Sequence, residues 1–183
     1  AEEAGIEPGD SVLSVNGHPL RDVVDLQFYA ADEEVEVHIR KANGLDDLVV
    51  FEKDIDEDLG LEFERATWDD VILCNNNCFF CFLKGLPKGM RKTLYTKDDD
   101  YRLSFLHGNF VTLSNMKDWE IRRIVEQRLS PIYISVHSTN PVTRQRLIRA
   151  RKERDILPIL EYFKANDITM HTQVVLCPGF NDG

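Results

Sequence analysis

Short alternating stretches of apolar and polar residues fill the first third of the chain, a pattern typical of β-strands. The alternation from Val12 to Val15 leads into Asn16-Gly17, a strong hairpin signal because both residues tolerate positive φ. The elements predicted after it are a helix at 23–31, a strand at 35–39, a turn at 42–44 and a partner strand at 48–51. Together they predict a small β-rich domain over residues 1–64.

From residue 66 onward, predicted strands and helices alternate. The strands are expected at 70–74, 103–106, 131–138 and 168–176, and the helices at 116–129, 141–150 and 156–163. Ser114 or Asn115 is the expected N-cap of the first of these helices. Repeated strand-then-helix order predicts an α/β fold with a parallel sheet and right-handed crossovers over residues 65–183.

Two of the predicted strands carry polar side chains on one face only. One strand presents Tyr133, Ser135 and His137 opposite its Ile and Val residues, and the other presents Thr169, His171 and Gln173. A parallel strand that packs on both faces is apolar on both. The polar faces therefore predict the lining of a cavity, as in a barrel whose chemistry collects at the carboxyl ends of its strands. For each polar residue alone, a satisfied core hydrogen bond is an equally good interpretation.

The composition is that of a globular protein, with 43% hydrophobic and 30% charged residues. No run of about 18 apolar residues and no basic-then-apolar leader occurs, so we expect a cytoplasmic protein that binds no membrane. The net charge of −10 is unevenly distributed. Residues 1–70 hold 21 acidic residues against 5 Lys or Arg, whereas 71–183 hold 11 against 17. This split indicates two units, and the acidic one would repel nucleic-acid phosphates.

The second unit contains a dense basic run. Its members are Arg144, Arg146, Arg149, Arg151, Lys152 and Arg154. We favour a solvated helix face as the explanation of this run, and contact with an anionic substrate or RNA is the alternative.

Three cysteines, Cys74, Cys78 and Cys81, stand within eight residues directly after a predicted strand. Clustered thiols in a chain without a secretion signal favour a metal site over disulfides. Three thiolates leave one metal position without a protein ligand, and such an open position can bind and activate a ligand. A structural zinc site with His107 or another group as fourth ligand is the alternative. Cys177 is expected to be a buried free thiol.

The spacing Cys74-x3-Cys78-x-Phe80-Cys81, with an aromatic residue before the last cysteine, resembles the radical S-adenosylmethionine (SAM) superfamily. Similarity to one subgroup extends through 81–91, 97–106, 108–115 and 175–183. That subgroup joins an N-terminal PDZ-like domain to a radical SAM core and a C-terminal domain of unknown function. In agreement with it, Gly5-Ile6 and the segment from Gly9 to Gly17 resemble the PDZ family.

The resemblance implies a partial (β/α) barrel of radical SAM type, with about four of its six units present, after an incomplete PDZ-like domain. In such a core Cys74, Cys78 and Cys81 bind three irons of a [4Fe–4S] cluster, and the fourth iron chelates SAM. One electron then cleaves SAM to a 5′-deoxyadenosyl radical.

The contacts to SAM that the resemblance implies are Phe80, Gly108, Asn109, Ser135 and Gln173. His107-Gly108-Asn109 takes the place of the GGE-type motif of relatives, so the chain departs from the family there. A tight turn at the end of a strand explains Gly108 and Asn109 equally well. The resemblance also implies that Ser135, His137, His171 and Gln173 face the SAM or substrate cavity, but it gives no catalytic residue and no role for the two histidines.

The partners implied are SAM, an unidentified substrate and a reductant such as a flavodoxin or ferredoxin. PDZ domains capture an extended peptide by strand addition, so a peptide or protein partner is a further expectation. The family's first PDZ strand, its last barrel units and its C-terminal domain have no counterpart here. We therefore expect a fragment truncated at both ends that binds a cluster without necessarily completing turnover.

The interpretation that we favour is a radical SAM enzyme of unknown substrate. The alternatives are a zinc-stabilised PDZ-type peptide-binding scaffold without catalysis and an RNA-modifying radical SAM enzyme.

Overall fold

The computed structural model describes residues 4–55 and 57–182, and the chain divides into two compact units, 1–70 and 71–183. The assignment of a PDZ-like domain to 1–64 and of a radical SAM portion to 65–183 stays a prediction. None of the helices in the described ranges is long and apolar enough to cross a membrane.

The first unit is built on a four-stranded antiparallel sheet. Its elements are β1 (Ser11–Val15), β2 (His18–Pro19), α1 (Val23–Tyr29), β3 (Glu34–Arg40) and β4 (Asp46–Glu52), in the sheet order β2-β1-β3-β4. The predicted hairpin is confirmed: Val15 pairs with His18, and φ is 48° at Asn16 and 76° at Gly17. Both positive values suit the tight turns that join antiparallel strands.

One face of this sheet carries the buried core of the first unit. Val15, Val35, Val37 and Ile39 are inaccessible to solvent and pack with Leu26 of α1. The intervening residues of β3 face outward, which explains the period-two alternation seen in the sequence.

The second unit contains a small parallel sheet. Its elements are α2 (Tyr101–His107), α3 (Asp118–Glu126), β5 (Ile132–Ser135), α4 (Pro141–Ile148), α5 (Leu157–Ala165) and β6 (Met170–Gln173), with 3₁₀ turns at Phe82–Gly85 and Lys92–Tyr95. Ser135 of β5 lies opposite Gln173 of β6, and Val111 adds a parallel bridge to Ile134. Helices α4 and α5 connect the two parallel strands, as such a crossover requires. The α/β class is thus present, whereas the partial barrel stays a proposal.

The strand predicted at 103–106 is wrong, because these residues belong to helix α2. The carboxylate of Asp100 caps the helix by accepting from the Arg102 N–H at 3.0 Å. At the other end Gly108, with φ of 76°, donates its N–H to the carbonyl oxygens of Leu103 and Ser104. A four-residue apolar run suits a strand or a buried helix equally, and the two caps decide between them.

The strand predicted at 70–74 is also wrong. The segment makes an isolated antiparallel bridge from Leu73 to Asp98, and the Cys74 N–H donates to the Lys97 carbonyl at 2.7 Å. Next to them the Ile72 N–H donates to the side chain of Asp100 at 2.9 Å, where a strand would use a backbone carbonyl. The chain before the cysteines is therefore irregular and is held by residues 97–100.

The N-cap predicted for the helix at 116–129, either Ser114 or Asn115, is wrong as well. Helix α3 begins at Asp118, and the Lys117 N–H at its cap is accepted by Glu120 at 2.6 Å. Ser114 and Asn115 are engaged elsewhere, since Ser114 bonds to Asn76 and Asn115 donates to the Leu73 carbonyl at 3.2 Å.

Candidate functional site

A cavity of about 530 Å³ lies in the second unit. All eight residues predicted from the sequence as cofactor or metal contacts line it: Cys74, Cys78, Phe80, Cys81, Gly108, Asn109, Ser135 and Gln173. These residues come from four separate stretches of the chain. Their positions are facts of the fold, whereas their roles as ligands stay predictions.

The three cysteines at this cavity are free thiols. Burial raises the pKa of the Cys74 thiol, and the nearby charge of Asp99 raises it further. Burial also raises the pKa of the Cys78 thiol, and repulsion from the neighbouring sulfurs of Cys74 and Cys81 raises it further. The raised pKa values favour the protonated thiols of Cys74 and Cys78 in the absence of a metal, and metal binding would displace these protons.

No three His, Cys, Asp or Glu side chains in ranges 4–55 and 57–182 are already arranged as a ligand set for a metal ion. The fit to an iron–sulfur cluster therefore rests on the donor chemistry: three thiols at one cavity are the ligands that such clusters take. His107, the fourth ligand of the zinc alternative, is not among the described residues that line the cavity. His107 therefore does not complete a zinc site with the three thiols, whereas His137 and Asp98 line the cavity and are the other groups that such a site would use.

Hydrogen bonds from Lys84 hold the loop that carries the cysteines in place. The Nζ of Lys84 donates to the side-chain oxygen of Asn77 at 2.5 Å and to the Cys78 carbonyl at 2.9 Å. Cys78 itself packs with Ile148 and with Cys177, which is buried as predicted. These contacts fix the middle of the loop before any metal is bound.

Ser135 and Gln173 form a polar pair at the ends of β5 and β6. The amide Nε2 of Gln173 donates to the Ser135 hydroxyl at 2.8 Å. Gln173 lines the cavity as expected. The same expectation is wrong for His171, which is not among the residues that line the cavity. It is exposed and stacks on Tyr133, with 4.7 Å between ring centroids.

His137 is a cavity residue to which the sequence assigned no role. Its Nδ1 accepts the Val175 N–H at 3.2 Å, and its ring meets Phe80 edge-to-face with 4.7 Å between centroids. Burial, together with the charge of Arg144, lowers the pKa of His137 to about 4. The imidazole is therefore neutral near pH 7, and because Nδ1 accepts, its proton is on Nε2.

Gly108 and Asn109 occupy one wall of the cavity directly after helix α2. A Cβ on Gly108 would lie 3.5 Å from the Tyr133 ring, an ordinary contact, so the positive φ is what requires glycine here. Asn109 donates to the carboxylate of Asp98 at 2.9 Å. Asp98 and Lys97 also line the cavity. They lie in the stretch 97–106 that resembles the family subgroup, but the sequence pattern assigned neither of them a role at the site.

The basic run is not one surface. Arg144 is only 2% exposed and donates to the carbonyl oxygens of Thr112, Ser135 and Val136, at 3.1 Å for Ser135 and 2.9 Å for Val136. Burial lowers the pKa of its guanidinium to about 10. Arg154 donates to the carbonyl oxygens of Leu113 and Met116.

A solvated helix face is therefore the wrong interpretation for Arg144, which is buried and bonds to the backbone of two separate segments of the chain. The other positions are exposed: Arg146, Arg149, Arg151 and Lys152. An RNA contact would have fewer free cations here than the sequence suggests.

Comparison with known protein families gives two matches. A family model described as a Radical SAM-like domain matches residues 53–183, and one described as a PDZ domain matches residues 1–41. Neither the curated proteins nor the solved structures gave a match. The first family model covers well over half of the sequence and contains the three cysteines with the cavity around them. The chain therefore belongs to the radical SAM family.

Proposed function

We propose that this chain is the cofactor-binding part of a radical SAM enzyme that cleaves SAM reductively and acts on a substrate still to be found. The observation that carries the proposal is the convergence of three free thiols and five further predicted contacts on one cavity. In this proposal residues 65–183 form the first part of a partial (β/α) barrel, and 1–64 form a PDZ-like domain.

Cys74, Cys78 and Cys81 would hold three irons of a [4Fe–4S] cluster. When bound, such a cluster with one iron free of protein ligands supplies the electron that cleaves the sulfonium of SAM to methionine and a 5′-deoxyadenosyl radical. A flavodoxin or ferredoxin would serve as the reductant.

The remaining cavity residues bind and orient SAM and keep water out. Phe80 and Val175 provide apolar wall, which suits the exclusion of water from a reactive species. The Ser135–Gln173 pair offers a hydroxyl and an amide to polar groups of the ligand, and His137 offers the N–H at Nε2. Asp98, held by Asn109, provides the carboxylate that a cationic group of the ligand requires.

The test is anaerobic reconstitution with iron and sulfide. We expect a brown protein with about four irons per chain, and 5′-deoxyadenosine after addition of dithionite and SAM, most readily from the complete protein. Cys74→Ser, Cys78→Ser and Cys81→Ser should each lose the iron. Cys177→Ala changes the fourth cysteine, which packs with Cys78 but lies outside the cavity lining, and this variant should keep the iron. A colourless protein that holds one zinc would refute the proposal.

The PDZ match over 1–41 supports a second role for the first unit, capture of an extended peptide by strand addition. Fluorescence anisotropy with labelled peptides that end in free carboxylates tests this role. Binding should survive Cys74→Ser, because the cysteines belong to the other unit. Absence of binding across a varied peptide set would leave the first unit without this function.

A further inference from the structure

The spacer between the first two cysteines consists of three asparagines in three different environments. Asn75 is exposed, and Asn77 is exposed and bonded to Lys84. Asn76 between them is only 3% exposed. A buried amide has to find hydrogen-bond partners, so the partners of Asn76 indicate what it does.

The side-chain nitrogen of Asn76 lies among three acceptors. It is 3.6 Å from the sulfur of Cys74, 2.9 Å from the hydroxyl oxygen of Thr112 and 2.8 Å from that of Ser114. The contact with Cys74 is within the range of an N–H···S hydrogen bond, and it joins two residues of the same loop.

The orientation of this amide follows from the groups around it. The Thr112 hydroxyl donates to the buried carboxylate of Asp99 at 2.6 Å, so its oxygen is left to accept. The nitrogen of Asn76 must therefore face Thr112. The Ser114 hydroxyl can donate to the side-chain oxygen of Asn76 at 3.1 Å, which fits the same orientation. An amide turned the other way would place its oxygen against the sulfur of Cys74 and the oxygen of Thr112.

The backbone of Asn76 is fixed as well. The Nζ of Lys97 donates to its carbonyl oxygen, and the Asn77 N–H donates to the Ile148 carbonyl at 3.0 Å. With both the main chain and the side chain held, the directions of the two amide N–H groups are fixed, and three acceptors share them. One of these acceptors is the sulfur of Cys74.

We propose that Asn76 is a positioning residue for Cys74, whose sulfur it orients and stabilises through an N–H···S bond aligned by Thr112, Ser114 and Asp99. The inference rests on the proposed function, because it gives Cys74 the part of an iron ligand. Hydrogen bonds to the sulfurs of a cluster raise its reduction potential, and groups that orient a ligand strengthen metal binding.

The experiment compares Asn76→Ala with Asn75→Ala, a matched change one position away at an exposed asparagine. Both variants and the unaltered chain are reconstituted, and the reduction potential is measured by a redox titration followed by electron paramagnetic resonance. We expect a more negative potential for Asn76→Ala alone. Release of iron to a chelator should be about tenfold faster in this variant.

Thr112→Val is the second variant and leaves the cysteine loop unchanged. It removes the hydroxyl that aligns the amide, so we expect a smaller shift of the potential in the same direction, even if Asn76→Ala does not fold. The inference would be overturned if Asn76→Ala or Thr112→Val had the same reduction potential and the same rate of iron release as Asn75→Ala. Failure of the unaltered chain to take up iron is a different result and would overturn the proposed function together with it.

Discussion

His137 shows at the scale of one residue how the fold prepares a group before a ligand arrives. Its φ of 61° lies in the left-handed region, which few residues other than glycine adopt. The Val175 N–H holds its ring and the Asn181 amide holds its carbonyl oxygen, at 3.2 and 2.6 Å. Because Val175 is 38 residues away, the sequence could place His137 on a polar face but could not give its tautomer.

The lowered pKa of His137 predicts a pH-dependent stability of the metal-free protein. Between pH 6.5 and 4 the unfolded chain binds a proton at this histidine and the folded chain does not. The contribution of neutral His137 to the free energy of unfolding is complete above about pH 6.5. As the pH falls to about 4, this contribution is lost, and the free energy of unfolding decreases by at most about 3 kcal/mol. Urea unfolding at a series of pH values measures it.

His137→Asn should remove this part of the pH dependence, because asparagine tolerates the left-handed conformation and does not titrate. His171→Asn, at an exposed position, is the control and should keep it. An unchanged slope in His137→Asn would contradict the assignment.

At the scale of elements, helix α2 shows a difference between the structure predicted from the hydrophobic pattern and the observed structure. The apolar residues of 103–106 fit a strand, but Asp100 and Gly108 stand at the two ends of a helix and were readable as caps. The helix places Gly108 and Asn109 at the cavity, in the position that the resemblance gave to the end of a strand. Both residues therefore lie at the cavity although the predicted element was wrong, and their contact with SAM stays a prediction.

Gly108→Ala should destabilise the second unit by about 1 kcal/mol, since alanine pays for the left-handed conformation even where space is available. Gly85→Ala is the matched control: a Cβ there meets open space, and no positive φ is involved. Urea unfolding compares the two variants. Equal stability would mean that the backbone at 108 relaxes.

The site residues that could be predicted from the sequence are those whose pattern involves only neighbouring positions. The cysteine spacing and the alternation of 132–137 gave the cavity residues, because each depends on a few neighbouring positions. Asn76, Asp98 and Arg144 could not be found in this way. Their roles come from partners up to 38 residues distant in the chain, and only the fold brings these together.

At the scale of the whole molecule, each unit has an apolar cluster of its own. Ile39 belongs to the cluster of the first unit, and Ile134 is buried in β5 of the second; neither is accessible to solvent. The separate clusters match the opposite net charges of the two parts of the sequence. A substitution in one cluster is therefore expected to perturb the fold of one unit at a time.

Ile39→Ala and Ile134→Ala are the same change in the two units, and each should cost about 2–5 kcal/mol locally. Hydrogen exchange should show the loss of protection over 11–52 in the first variant and around β5 and β6 in the second. Iron uptake should fall only in Ile134→Ala. A loss of iron in both variants would mean that the units are not independent.

Strand β4 has a consequence for how the protein behaves in concentrated solution. It is the outermost strand of the described sheet, and its Leu48 and Val50 are 54% and 55% exposed. Such an edge invites pairing with another copy, and acidic residues at its two ends, Asp46, Asp47 and Glu52, oppose that pairing by repulsion. Added salt screens this repulsion, so the colloidal stability of the protein should be greatest in dilute buffer and decline as ionic strength rises.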